Sequence, residues 1–167
     1  KHVTRGLKDR ARSGFRPSMA PLGYMNSKYR EKGMEEILED KERFSKVRKL
    51  FDLMLTGQYS VPELLKVAEK DLLLFTRESG TRKSKAMGKT NLYAIFTNPF
   101  YYGEFQYPRI GGEWYVGNHK TMITKEEFDK VQFLLGRKGI PRPKTHIFAF
   151  TGLMRCSGCG ARITCEE

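Results

Sequence analysis

Apolar positions recur every third or fourth residue in four stretches of the chain, the spacing of one buried helix face. The most regular is Phe44, Val47, Phe51 and Met54, with Asp40 ahead of it as a candidate cap and Gly57 behind it as a stop; the spacing predicts an amphipathic helix. Ser60 and Glu63 stand at the capping-box interval before Leu64, Val67, Ala68 and Leu72, so a second helix begins after a short Gly-containing turn. A shorter helix is predicted over 90–97, with Thr90 as its cap, Leu92, Ile95 and Phe96 inward, and Asn91, Tyr93 and Thr97 outward. Asn98-Pro99 ends it, because the residue before a proline is pushed out of the helical region. Thr124 and Glu127 repeat the capping box ahead of Phe128, Val131 and Leu135. In between, aromatic and polar residues alternate on either side of Gly111-Gly112, a hairpin signal, and Pro108 implies an edge strand. Phe105, Tyr107, Trp114 and Val116 are expected to pack on the helices.

At the N-terminus, Lys1, Arg5, Lys8 and Arg12 follow one another at offsets of four, three and four, beside Val3, Leu7 and Ala11. This reads as the end of a helix with a basic stripe, although a solvated face shows the same pattern. Gly14, Pro17, Pro21 and Gly23 then predict an extended linker leading into a domain. A second, proline-bearing basic linker carries Arg142 and Lys144.

Of 167 residues, 39% are hydrophobic and 12% aromatic, enough for one ordinary domain with an appendage. No apolar run reaches the length of a membrane span, and the first residues lack the apolar stretch of a signal peptide. Three cysteines argue against a disulfide framework and for a reducing compartment, with the cytoplasm as default. The chain begins at Lys1 and stops inside what reads as a module, so it is expected to be a piece of something longer.

Lys and Arg total 31 against 19 Asp and Glu, a net charge of +12. The excess is uneven: residues 1–30 carry +7, 76–90 carry +4 and 136–167 carry +4, while the segments between are close to neutral. A soluble surface needs only a modest charge, whereas cationic arms around neutral packed elements suit a polyanion. Candidate phosphate contacts are Arg5, Lys8, Arg12 and Arg16, then Arg82, Lys83, Lys85 and Lys89 in the basic loop, and Arg142 and Lys144. Thr90, Asn91 and Tyr93, on the helix behind that loop, are candidates to reach base edges of double-stranded DNA. A plain helical bundle with a loose loop remains the alternative.

Cys156 and Cys159, followed by Gly160, have the spacing of a zinc knuckle. Zinc wants four ligands, and only Cys165, His2, His119 and His146 remain, none at a second paired spacing.

The succession of "PLGY", "TNLYAIFTNPFYYGEF", "HKTMITKEEFDKVQ" and "FTGLMRCSGCGARIT" resembles the DNA-binding half of large serine recombinases, the phage integrases and transposon resolvases with a long C-terminal region. The resemblance runs from about Arg5 to the end. It implies an N-terminal catalytic domain bearing the nucleophilic serine, a long helix leading out of it, a recombinase domain, and a zinc ribbon whose second cysteine pair follows a coiled-coil insertion. That catalytic domain has no counterpart in these residues, and Ser13, Ser18, Ser27 and Ser60 sit in linker or cap contexts with no base beside them. The expected architecture is α+β: a helix-turn-helix-like three-helix bundle, a small antiparallel β hairpin, a C-terminal helix and a truncated zinc-ribbon start. Residues 1–24 would be helix end and linker, 25–140 the recombinase domain and 141–167 linker and ribbon start. The implied role is half-site binding on double-stranded DNA beside other recombinase subunits, with zinc in the parent protein and no catalysis by this piece. An RNA-binding or ribosome-associated zinc-ribbon protein and a helix-turn-helix transcriptional regulator are the rivals.

Overall fold

The computed structural model describes residues 2–27, 37–78 and 83–136. Within them lie five α-helices: α1 (His2–Arg12), α2 (Phe44–Leu55), α3 (Val61–Lys70), α4 (Lys89–Phe96) and α5 (Lys125–Leu134). Strands β1 (Tyr24–Asn26) and β2 (Ile37–Glu39) pair antiparallel, as do β3 (Glu104–Tyr107) and β4 (Glu113–Val116). A 3₁₀ turn, Pro99–Tyr102, joins α4 to β3. The chain is therefore α+β. Helix α2 packs against α3 and α5, and α4 fits between α3 and α5.

The predicted helix faces are the buried ones. Val47 and Phe51 are inaccessible and Met54 nearly so, and Leu50 completes the stripe; Gly57, at φ +74°, takes the left-handed conformation that stops the helix. Asp40 acts one turn earlier than expected. Its carboxylate accepts from the N–H groups of Glu42 and Arg43 at 3.1 and 3.3 Å and so caps the turn that feeds α2 rather than α2 itself. At the head of α3, Glu63 accepts from the Ser60 N–H at 2.7 Å and hydroxyl at 2.6 Å. At the head of α5 the box is reciprocal: Thr124 N–H donates to Glu127 at 2.9 Å, and Glu127 N–H to the Thr124 hydroxyl at 3.2 Å. Gln132, on the inner face of α5, donates to the Phe96 carbonyl at 2.7 Å and fastens α4 to α5.

Two expectations fail for tertiary reasons. The stretch expected as an extended linker is packed: Ala20 is buried and Tyr24 inaccessible. Arg77, from the basic loop, donates to the carbonyls of Ala20 (3.2 Å), Pro21 and Tyr24, and Asn118 holds the Ser13 carbonyl at 2.9 Å. Gly14, at φ +82°, lies so close that a Cβ there would sit 2.8 Å from the Asn118 side chain. In the hairpin, Phe105 is buried and Tyr107 partly buried, but Trp114 is 57% and Val116 75% exposed. The register opposes Phe105 to Tyr115 and Gln106 to Trp114. Side chains alternate along each strand, so Trp114 and Val116 share the face of Gln106 and not that of Phe105.

Arg48 ties α2 to α5 with a two-pronged bond to Glu127 at 2.8 and 2.7 Å, and also reaches the Met122 carbonyl at 2.9 Å and Asp52 at 2.9 Å. That hydrogen bond holds Glu127 below the usual carboxylate range. A lowered carboxylate contributes stability at neutral pH that disappears as pH falls from the unfolded value through the folded one. Glu127→Gln is therefore expected to cost roughly 1–3 kcal/mol at pH 7 and to flatten the stability profile on the acid side of about pH 4. Urea titrations at several pH values would detect this, and an unchanged acid limb in the variant would refute it.

Candidate nucleic-acid interface

Helix α4 presents the most open strip in the region that the charge pattern marks. Its inner face is Leu92, Ile95 and Phe96, all buried, and this leaves Lys89, Thr90, Asn91 and Ala94 exposed. The cap differs from expectation. Gly88 is the N-cap, and the Asn91 side-chain oxygen accepts from its N–H at 3.0 Å, so Thr90 lies within the first turn. Thr90 loses the capping role because Asn91 reaches back to Gly88 one turn earlier. Tyr93 and Thr97 are not free outward groups either: both are half-buried, and the Thr97 hydroxyl donates to the Tyr93 carbonyl at 2.7 Å.

The basic loop is closed at its base. Phe75 and Ala86 form an antiparallel bridge, Thr76 N–H donates to the Lys85 carbonyl at 2.8 Å, Lys85 N–H to the Thr76 hydroxyl at 2.9 Å, and the Ser84 hydroxyl to the Thr76 carbonyl at 2.7 Å. This ladder leads in sequence into α4, and Lys83 and Lys85 on it are exposed. Arg82, Arg142, Lys144, Cys156, Cys159, Cys165 and His146 lie outside the described residues.

On α1, Arg5, Lys8 and Arg12 are exposed while Ala11 is buried, and Arg12 lies 3.4 Å from Asp9. Arg16, expected as a linker contact, is half-buried beside the end of α4. Its guanidinium sits 5.3 Å above the Phe100 ring, and Phe100 in turn stacks on His119 at 3.6 Å. Burial, then the charge of Arg109, pulls the Arg16 pKa down. His119 is occupied as well: its Nε2 lies 2.6 Å from the Phe100 carbonyl, which makes it the protonated nitrogen, and burial lowers its pKa. It is a buried core residue stacked on Phe100. Among the described residues no cluster of three or more His, Cys, Asp or Glu side chains is placed to hold a metal.

Clefts run along both sides of α4. One, about 290 Å³, is lined by Met19, Thr76, Arg77, Asn91, Ala94 and Asn98 among others, and the second, about 330 Å³, by Ala94, Thr97, Asn98, Gln106, Arg109 and Trp114. Arg16 borders both. Ala94 and Arg109 escaped the sequence reading, and Asn98 and Trp114 were read only as a helix end and a packing residue, because nothing in their spacing shows which face of the hairpin lies beside α4. No helix among the described residues is long and apolar enough to cross a membrane.

The family model described as Recombinase matches residues 41–138 of the 167. An uncharacterized immunity region protein 5 of Bacillus phage phi105 is 37% identical over 79 residues, covering 46% of this chain and 57% of that protein. A structure concerned with the sequence requirements of the Listeria innocua prophage attP site superposes with a TM-score of 0.63 at 22% identity, over 97% of this chain and 64% of that one. The crystal structure of an LSR–DNA complex does so with a TM-score of 0.59 at 21% identity, over 83% and 39%. These likenesses show the fold, and the chain spans less than two thirds of each of the three proteins.

Proposed function

The chain belongs to the recombinase family, and from that premise we propose that it is the address-reading part of a large serine site-specific recombinase, binding one half-site of a double-stranded attachment or resolution sequence. One observation carries the proposal. A short helix lies open along one face, with lysines of a closed basic ladder at its N-terminal end. Exposed Lys83, Lys85 and Lys89 neutralise phosphates and set register, while the α4 strip meets base edges in the major groove. The fold of two solved proteins, one of them bound to DNA by its own description, is compatible with that use. Strand cutting belongs to a catalytic domain elsewhere in the parent protein, so this chain is expected to form no covalent DNA adduct on a denaturing gel.

The Asn91 side chain holds the N-cap Gly88 N–H, so Asn91→Ala mixes recognition with helix stability. Ala94 is exposed in mid-strip and bordered by both clefts. Ala94→Gln is expected to change which duplexes are selected from a random pool, by about 1–3 kcal/mol of discrimination at one or two positions, and to leave non-specific affinity intact. An unchanged selected sequence would remove α4 as the reader.

Cys156 and Cys159 are proposed as two of the four thiolate or imidazole ligands of a zinc ribbon, completed by residues past Glu167. An incomplete shell binds metal weakly. The chain purified without added zinc should therefore hold much less than one equivalent; near-stoichiometric zinc that survives a mild chelator would show a self-contained site.

A further inference from the structure

We propose that the notch between the C-terminal end of α4 and the tip of the β3–β4 hairpin is a second phosphate site, in which Arg16 and Arg109 grip the DNA backbone on the opposite side of the groove from Lys83, Lys85 and Lys89. The proposal rests on the reading of α4 as a groove-binding helix and adds to it a residue that sequence pattern never singled out.

Arg16 is positioned at a cost that the protein itself does not offset. Its Nη1 atom is buried and has no hydrogen-bond partner among the described residues, and Arg109, a like charge, acts on the same guanidinium. Two arginines bordering one notch favour an anion between them, because like charges held near each other are stabilised by a counter-charge. The Phe100 ring under Arg16 fixes the guanidinium plane without supplying that counter-charge. Among the described residues, the lining of the notch contains no carboxylate. Asn98 commits its side-chain oxygen to the Phe100 N–H at 3.1 Å, which leaves its NH₂ group as the donor for a ligand. At about 330 Å³ the notch is large enough for a phosphodiester with part of its sugar.

Spacing identifies the source of the phosphate. Helix α4 has eight residues, about 12 Å at 1.5 Å per residue, and the major groove is about 12 Å wide. Lysines at the start of the helix and the arginine pair near its end thus stand about one helix length apart, of the same order as the groove width. A free anion in solution would explain the charge of the notch but not this spacing.

The chain's single tryptophan, Trp114, lines the notch and is 57% exposed, so its emission reports occupancy directly. The test titrates the whole chain and its Arg109→Gln variant with a short duplex of arbitrary sequence, and separately with inorganic phosphate, following Trp114 emission and binding across a salt series. Arg109 is exposed, so the variant should keep the wild-type circular dichroism spectrum. The expected result is a Trp114 response to duplex in the wild type and about tenfold weaker duplex binding by Arg109→Gln. The slope of log affinity against log salt should be shallower in that variant by about 0.9, one phosphate contact. Unchanged affinity and slope in Arg109→Gln, with the wild type binding duplex, would overturn the notch as a backbone site and leave the α4 reading standing. A Trp114 response to millimolar-range inorganic phosphate with no effect of Arg109→Gln on duplex binding would reassign the notch to free anions. Failure of the wild type to bind any duplex would instead remove the underlying function.

Discussion

Changing Lys83, Lys85 and Lys89 together to Glu is expected to weaken duplex binding by about a hundredfold or more at about 0.1 M salt, by a similar factor for every sequence offered. The three lysines are exposed and lie on the loop ladder and the first residue of α4. The ladder is held by backbone groups and by the hydroxyls of Thr76 and Ser84, so the substitutions leave the fold in place. Each lysine that meets a phosphate releases about 0.9 of a counterion, so removing three contacts should reduce the salt slope by about 2.7. Reversal of charge adds repulsion, which makes the loss larger than neutralisation would. Mobility-shift titrations with two unrelated duplexes over a salt series measure both quantities. A triple variant that binds one duplex normally and loses the other would show that the lysines read sequence and that phosphate contact is not their role.

The largest stability effect is expected at Tyr24. Its ring meets Phe44, Phe100 and His119 edge to face at 5.4, 5.3 and 5.4 Å, and its hydroxyl donates to the Lys120 carbonyl at 2.8 Å. Burial pushes its pKa up, as expected for a phenol that stays neutral in a dry pocket. Tyr24→Ala empties the centre of that aromatic group and should cost roughly 3–5 kcal/mol, a large share of the stability of an ordinary domain. Tyr24→Phe keeps the ring and leaves the Lys120 carbonyl unpaired, for about 1 kcal/mol. Urea unfolding of the three proteins gives the order directly. A Tyr24→Ala protein within about 1 kcal/mol of wild type would mean that residues 13–26 are a detachable arm, as their proline and glycine content suggests.

The contrast between those two sites also marks where sequence reasoning reaches. The loop lysines were legible because charge is a property of the residue itself: five basic side chains in residues 76–90 stand out wherever the chain goes. The paired capping residues at Ser60–Glu63 and Thr124–Glu127 were legible because both partners lie within one helical turn. Tyr24 was not, since a segment rich in glycine and proline reads as linker until Arg77, more than fifty residues later, takes its carbonyl groups.

The sequence by itself determined the helices, their buried faces, the hairpin, the basic segments and the family resemblance that the family model bears out, because each depends on neighbours within a few residues or on composition. Tertiary structure alone decided which face of the hairpin is wet, that Arg48 clamps Glu127 across α2 and α5, and that Arg16 and Arg109 border one notch beside α4. A strand register can slip by one residue without altering the alternation written in the chain, yet the slip exchanges the two faces. The shared notch of residues 16 and 109 leaves no periodic trace at all, because it exists only once the intervening helices have packed and brought two distant segments together.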